Sequence, residues 1–81
     1  MKIKLKLFAS FRQAFDSSEI EYELPEGSTA SDLLNDIISK HPSLERLRGH
    51  VIVTVNRNAV SLEFILNEGA EISILPPVSG G

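Results

Sequence analysis

Residues 2–7 alternate strictly, with Ile3, Leu5 and Leu7 on one face and Lys2, Lys4 and Lys6 on the other. A period of two predicts a strand with one face on a core and one in water. Glu19-Ile20-Glu21-Tyr22-Glu23-Leu24 repeats the pattern with the charge reversed. Antiparallel pairing of the two segments would set three lysines against three glutamates outside and bring the aliphatic side chains together inside, so the strands are expected to be neighbours. The stretch between them, 9–15, is longer than a tight turn needs and holds helix-compatible residues around Phe11 and Phe15, which predicts a short helix.

Pro25-Glu26-Gly27 signals a turn, and Ser28 or Thr29 can cap a helix whose first turn carries Asp32. Ala30, Leu33, Leu34, Ile37, Ile38 and His41 fall on one helical face before Pro42 forbids continuation. Val51-Ile52-Val53-Thr54-Val55 is β-branched throughout and predicts a buried, central strand. Asn56-Arg57-Asn58 turns the chain toward a brief Val60-Ser61-Leu62 strand, and Asn67-Glu68-Gly69 precedes a last strand over 70–75. The order is ββαβ(β)β. Its economical packing is an α+β fold in which a mixed sheet of about five strands wraps one main helix, the β-grasp or ubiquitin-like arrangement. One domain is expected over 1–75, followed by an extended, flexible tail over 76–81.

An 81-residue chain has room for one modest core and none for a large internal cleft. A net charge of −3 supplies no strong field for nucleic acid or an anionic membrane. Because the amino end alternates where a signal peptide needs a continuous apolar block, and no stretch is long enough to span a bilayer, a cytoplasmic location is expected. The chain has no cysteine, which removes disulfides, thiolate nucleophiles and any side-chain persulfide. His41 and His50 stand apart with no carboxylate cluster at ligand spacing, so no metal site is expected. Neither a phosphate-binding nor a dinucleotide fingerprint is present.

The remaining candidate for chemistry is the end of the sequence, Pro76-Pro77-Val78-Ser79-Gly80-Gly81. The two prolines lack backbone donors, stop sheet pairing and hold the following residues off the body, giving the last six a reach of roughly 20 Å. Gly80-Gly81 lacks Cβ atoms and fits a slot too narrow for side chains, so the Gly81 carboxylate is suited to another protein's active site. A short tail of small residues with no role is the competing interpretation.

The run Leu7-Phe8-Ala9-Ser10-Phe11-Arg12, the Val55-Asn56 turn followed by Val60-Ser61, the Asn67-Glu68-Gly69 turn and above all the Pro-Pro-Val-Ser-Gly-Gly ending resemble the MoaD family of ubiquitin-like sulfur carriers, the small subunits of molybdopterin synthase. The resemblance covers essentially the whole chain. It implies that an E1-like (MoeB-like) adenylyltransferase uses ATP to convert Gly81 into an acyl-adenylate, which a sulfur donor turns into a thiocarboxylate. It further implies that the tail enters a MoaE-like large subunit and gives its sulfur to cyclic pyranopterin monophosphate, two carriers supplying one dithiolene in a heterotetramer built on a large-subunit dimer. On this reading the chain is a sulfur-donating subunit with no independent active site and no bound cofactor.

The resemblance gives Gly81 the covalent role and places Leu75, Pro76, Pro77, Val78, Ser79 and Gly80 at the partner surfaces, with Arg12 as a further partner contact. Ala59 departs from the pattern, standing where family members carry a larger apolar residue. Phe8 and Phe11 are expected in the core. A thiamine-type sulfur carrier, a ubiquitin-like modifier joined through Gly81 to lysines, and an interaction domain with an inert tail stay open as alternatives.

Overall fold

The computed structural model describes residues 1–76. Its five-stranded sheet consists of β1 (Lys2–Leu7), β2 (Glu19–Glu23), β3 (Ile52–Val55), β4 (Asn58–Val60) and β5 (Glu71–Leu75), in the order β2-β1-β5-β3-β4. Two helices interrupt the strands, α1 (Ala9–Phe15) and α2 (Ala30–Lys40), and a 3₁₀ segment over Pro42–His50 leads from α2 into β3. β1 and β2 pair antiparallel as their patterns require, with Ile3 opposite Tyr22 and Lys4 opposite Glu21. β1 and β5 pair in parallel, and β5 runs antiparallel to β3.

The helix α2 covers the inner face because its apolar positions recur at helical spacing: Ala30, Leu33, Leu34, Ile37 and Ile38 are all buried. They meet Ile3, Leu5, Leu7, Val53, Val55, Ile72 and Ile74 from the sheet in one core cluster. The start of α2 is set by a capping box, in which the Asp32 N–H donates to Thr29 Oγ1 at 3.1 Å and the Thr29 N–H donates to Asp32 Oδ2 at 2.9 Å. Its end comes at Lys40, two residues before the ring of Pro42. The 3₁₀ segment that follows buries Leu44; the proline near its start and its lack of an apolar stripe gave no periodic signal for it in the sequence.

Three expectations need correction. The β3 strand lies between β5 and β4, and the centre of the sheet is β5. Only one face of β3 is buried, since Val53 and Val55 point inward while Ile52 is 41% exposed. A uniformly β-branched run hides this alternation. The second correction concerns the hairpin: β4 spans Asn58–Val60, because Asn56 (φ 50°) and Arg57 (φ 74°) make a two-residue turn that pairs Val55 directly with Asn58. Beyond Val60 the chain leaves the ladder, and the carbonyls of Phe64 and Leu62 accept from the Ala30 and Ser31 N–H groups at 3.0 and 2.8 Å. Those amides at the start of α2 have no partner within the helix, so the loop satisfies them.

The third correction concerns the charge ladder. Lys2, Lys4 and Lys6 do stand in register with Glu23, Glu21 and Glu19, yet Lys6 forms its ion pair with Glu71 of β5, at 3.4 Å. Solvated cross-strand charges gain little from a fixed contact, so register does not dictate which carboxylate a long lysine touches.

At the β2 edge of the sheet, the Tyr22 hydroxyl donates to the Asp36 carboxylate, and Lys40 Nζ lies 3.4 Å from the same carboxylate and 4.8 Å from the Tyr22 ring centroid. The Tyr22 hydrogen bond, helped by Lys40, holds the Asp36 carboxyl below the usual carboxylate range. Burial first, and then the Asp36 carboxylate, push the Tyr22 phenol above its ordinary value. A carboxyl with a depressed folded-state pKa adds stability above the ordinary carboxylate pKa and loses it as pH falls through the folded value. Tyr22→Phe should therefore flatten the acid-side loss of stability between about pH 5 and pH 2, as read from urea midpoints measured across that range.

Candidate functional site

The outer face of the sheet changes character along the strands. At one end it is charged, with Lys2 and Lys4 of β1 opposite Glu23 and Glu21 of β2, and Lys4 beside Glu71 of β5. One row on, Lys6, Ser73, Thr54 and Ala59 lie side by side across four strands. At the other end Leu75 pairs with Ile52, and continuing the parallel register one position past Leu7 and Ile74 sets Phe8 on the other flank of Leu75. Phe8 and Ile52 are 40% and 41% exposed. Phe8, Leu75 and Ile52 thus form an apolar row on the outer face where β5 ends and the chain continues into Pro76.

The path from β1 into α1 sets up one side of this row. Phe8 keeps the extended conformation of β1, Ala9 adopts a positive φ of 51°, and the helix then folds back so that Phe11 enters the core at 1% exposure. The expectation that both aromatics are core residues is correct for Phe11 and overturned for Phe8. The alternation that buries Leu7 turns the next side chain outward. Arg12 is exposed on α1, its N–H donating to the Phe8 carbonyl at 3.4 Å, and it forms no ion pair among the described residues. Its neighbours in a shallow depression are Gln13, Asp16, Ser17 and Ser18.

Of the residues expected at partner surfaces, Leu75 and Pro76 are half-buried at the end of β5, and Arg12 lies one helical turn beyond Phe8 at the same end of the sheet. Pro77, Val78, Ser79, Gly80 and Gly81 lie outside the described residues. The sequence reading weighed Phe8 for the interface but placed it in the core, and did not single out Ile52. For Phe8 the signal was available in the lysine alternation of β1, whose outward series it continues; for Ile52 there was none, because its neighbours are equally apolar. Ala59 lies exposed on the outer face opposite Thr54.

Among the described residues no group of three His, Cys, Asp or Glu side chains could hold a metal ion, and no helix is long and apolar enough to cross a membrane. A depression lined by Leu24, Pro25, Gly27, Ser28, Asp32 and Asp36 sits at the charged end, away from the apolar row.

Comparison with known proteins supplies the context. The ThiS family model matches residues 5–81. The molybdopterin synthase sulfur carrier subunit of Arabidopsis thaliana is 33% identical over 81 residues, covering 100% of this chain and 84% of that protein. A putative molybdopterin converting factor, subunit 1, from Pyrococcus furiosus superposes with a TM-score of 0.83 at 34% identity, covering 96% of this chain and 99% of that one. SAMP1 of Haloferax volcanii superposes with a TM-score of 0.81 at 29% identity, with 100% of each chain covered. These likenesses establish the ubiquitin-like β-grasp.

The contrast between the two aromatics is testable. Phe8→Ser should leave the urea midpoint almost unchanged, within about 0.5 kcal/mol of the parent. Phe11→Ala should cost about 3 to 5 kcal/mol, measured in the same denaturation series.

Proposed function

Because the chain belongs to the ThiS/MoaD family of ubiquitin-like sulfur carriers, we propose that it is the sulfur carrier subunit of a molybdopterin synthase and that Gly81 is the atom-bearing end of its cargo. The observation that carries this reading is the apolar row of Phe8, Leu75 and Ile52 at the point where β5 gives way to the tail. Side chains of this kind on an otherwise polar sheet face suit the desolvated centre of a protein interface. A partner seated there would receive the tail that follows Pro76.

The chemistry follows from the properties of a terminal carboxylate. With a pKa near 3.5 it is an anion at neutral pH and a poor electrophile. An E1-like partner would activate it: a Gly81 carboxylate oxygen attacks the α-phosphorus of ATP, pyrophosphate leaves, and a mixed anhydride with AMP forms. Sulfide-level sulfur (HS⁻) from a donor would then attack the acyl carbon, AMP leaves, and a thiocarboxylate remains. In the large subunit this sulfur would pass to cyclic pyranopterin monophosphate, with two charged carriers supplying the two sulfurs of a dithiolene. ATP is held by the activating partner, and the carrier contributes its docking face and its end. Arg12, exposed and beside Phe8, would supply a directional contact to a partner carboxylate. A heterotetramer with a large-subunit dimer at its centre fits a carrier whose one docking face lies next to its tail.

A second reading is favoured by the likeness to SAMP1, which in Haloferax volcanii bears the name small archaeal modifier protein 1. The same activated Gly81 would then form an amide with a lysine of another protein. The first steps are shared, and the fate of the acyl group separates the readings.

Incubation with ATP, the adenylating partner and a sulfur source should replace one oxygen by sulfur at Gly81, localised by fragment mass spectrometry. Gly80→Phe should fold normally and fail to accept or deliver the sulfur. Higher-mass lysine conjugates that vanish on removal of Gly80-Gly81, with no thiocarboxylate transfer to the pterin precursor, would establish the modifier instead.

The docking face has its own test. Leu75→Asp should weaken the complex with the large subunit by at least about tenfold, by isothermal titration, without unfolding the chain. Affinity equal to the parent's would remove the apolar row from the interface.

A further inference from the structure

Arg57 stands at the second position of the β3–β4 turn with φ 74°, directly after Asn56 at φ 50°. A two-residue hairpin turn with both φ positive favours asparagine first and glycine second, and a side chain with a Cβ is strained at that second place. The fold recovers little from the arginine. Its side chain is 87% exposed, and its ion pair among the described residues is a long one, Nε to Glu71 Oε2 at 3.9 Å. The same carboxylate oxygen already lies 3.4 Å from Lys6 Nζ. An ion pair this exposed adds almost nothing to stability. Strain held at a position where the side chain does no work for the fold directs attention to what that side chain can reach outside it.

Its contact with Glu71 fixes where it reaches. Glu71 belongs to the outer-face series of β5 that continues through Ser73 to Leu75, so the guanidinium lies on the same face as the apolar row. Four steps along the strand separate Glu71 from Leu75, roughly 13 Å. A standard interface covers about 800 Å² on each partner, which is a disc of about 16 Å radius. Centred on Leu75, such a footprint would have Arg57 at its rim. There the Glu71 carboxylate is shared between Lys6, which also stands in register with Glu19, and the 87% exposed Arg57 side chain, whose 3.9 Å contact leaves its guanidinium open to a partner carboxylate.

We propose that Arg57 is a steering contact at the rim of the carrier's docking face and takes a carboxylate side chain of the partner protein. This rests on the carrier reading and on the apolar row being its interface centre. A charge at a rim acts mainly on the rate of association and its salt dependence, while the desolvated centre governs how long the complex lasts. An exposed arginine on a turn, held up by a rigid hairpin, is suited to the first role.

The test is stopped-flow association of the full chain with the purified synthase large subunit, at low and high ionic strength, for the parent, Arg57→Gly, Arg57→Lys and Leu75→Asp. Arg57→Gly should melt at the same or a higher temperature, since glycine relieves the positive φ. It should associate about three- to tenfold more slowly at low salt, with dissociation little changed and the difference gone near 1 M salt, where screening acts within about 3 Å. Arg57→Lys should keep most of the parent rate. If Arg57→Gly associates at the parent rate at low salt while Leu75→Asp loses the complex, the steering role is overturned and the carrier reading stands. If Leu75→Asp binds as the parent does, the interface reading fails and the steering role with it.

Discussion

Parallel pairing of β1 with β5 joins the first and last strands of the body at the middle of the sheet, and the other elements are placed around that pair. Leu5, Leu7, Ile72 and Ile74 from the two strands are at most 1% exposed and form the floor on which α2 lies. Because strands paired in parallel cannot be joined by a tight turn, the intervening chain has to cross the inner face, and α2 makes that crossing. β2 and the β3–β4 hairpin then extend the sheet on either side by antiparallel pairing. The same pairing sets the two directions together, so that β1 and β5 end side by side.

That common end is what gives the outer face its use. Phe8 follows β1, Leu75 closes β5, and Ile52 opens β3, three residues far apart in the chain that come side by side only because the strand ends coincide. The charged end of the face lies several residues away along the same strands. The outer sheet face is therefore apolar next to the tail and charged at its other end, while the inner face is taken up by the core. On the proposed reading, activation and transfer belong to partners, and the body has to be recognised and to present an end.

Strain and satisfaction are distributed unevenly over this scaffold. Positive φ values at Asp16 and Asn56 fall on side chains that tolerate them, whereas Ala9 and Arg57 have no such excuse. Both of these lie beside the outer face, Ala9 immediately after Phe8 and Arg57 against Glu71. Elsewhere the fold is well satisfied. The amino end of α2 uses its own capping box together with two carbonyls from the loop after β4, and no buried side-chain nitrogen or oxygen among the described residues lacks a hydrogen-bond partner.

Local pattern alone determined the alternation of β1 and β2, the apolar stripe and cap of α2, its stop before Pro42 and the turn at Gly69, because each follows from a period or a backbone restriction that acts over a few residues. The motif-bearing ending likewise pointed to the family without any knowledge of the fold. Tertiary structure decided which strand is central, since the parallel β1–β5 pair depends on contacts across most of the chain. It also decided that Lys6 meets Glu71, that the loop after Val60 turns to the bare amides of α2, and that Ile52 faces water. These depend on competition among partners brought together by folding. A run such as Val51–Val55 holds no record of that competition, because every one of its side chains would suit either face.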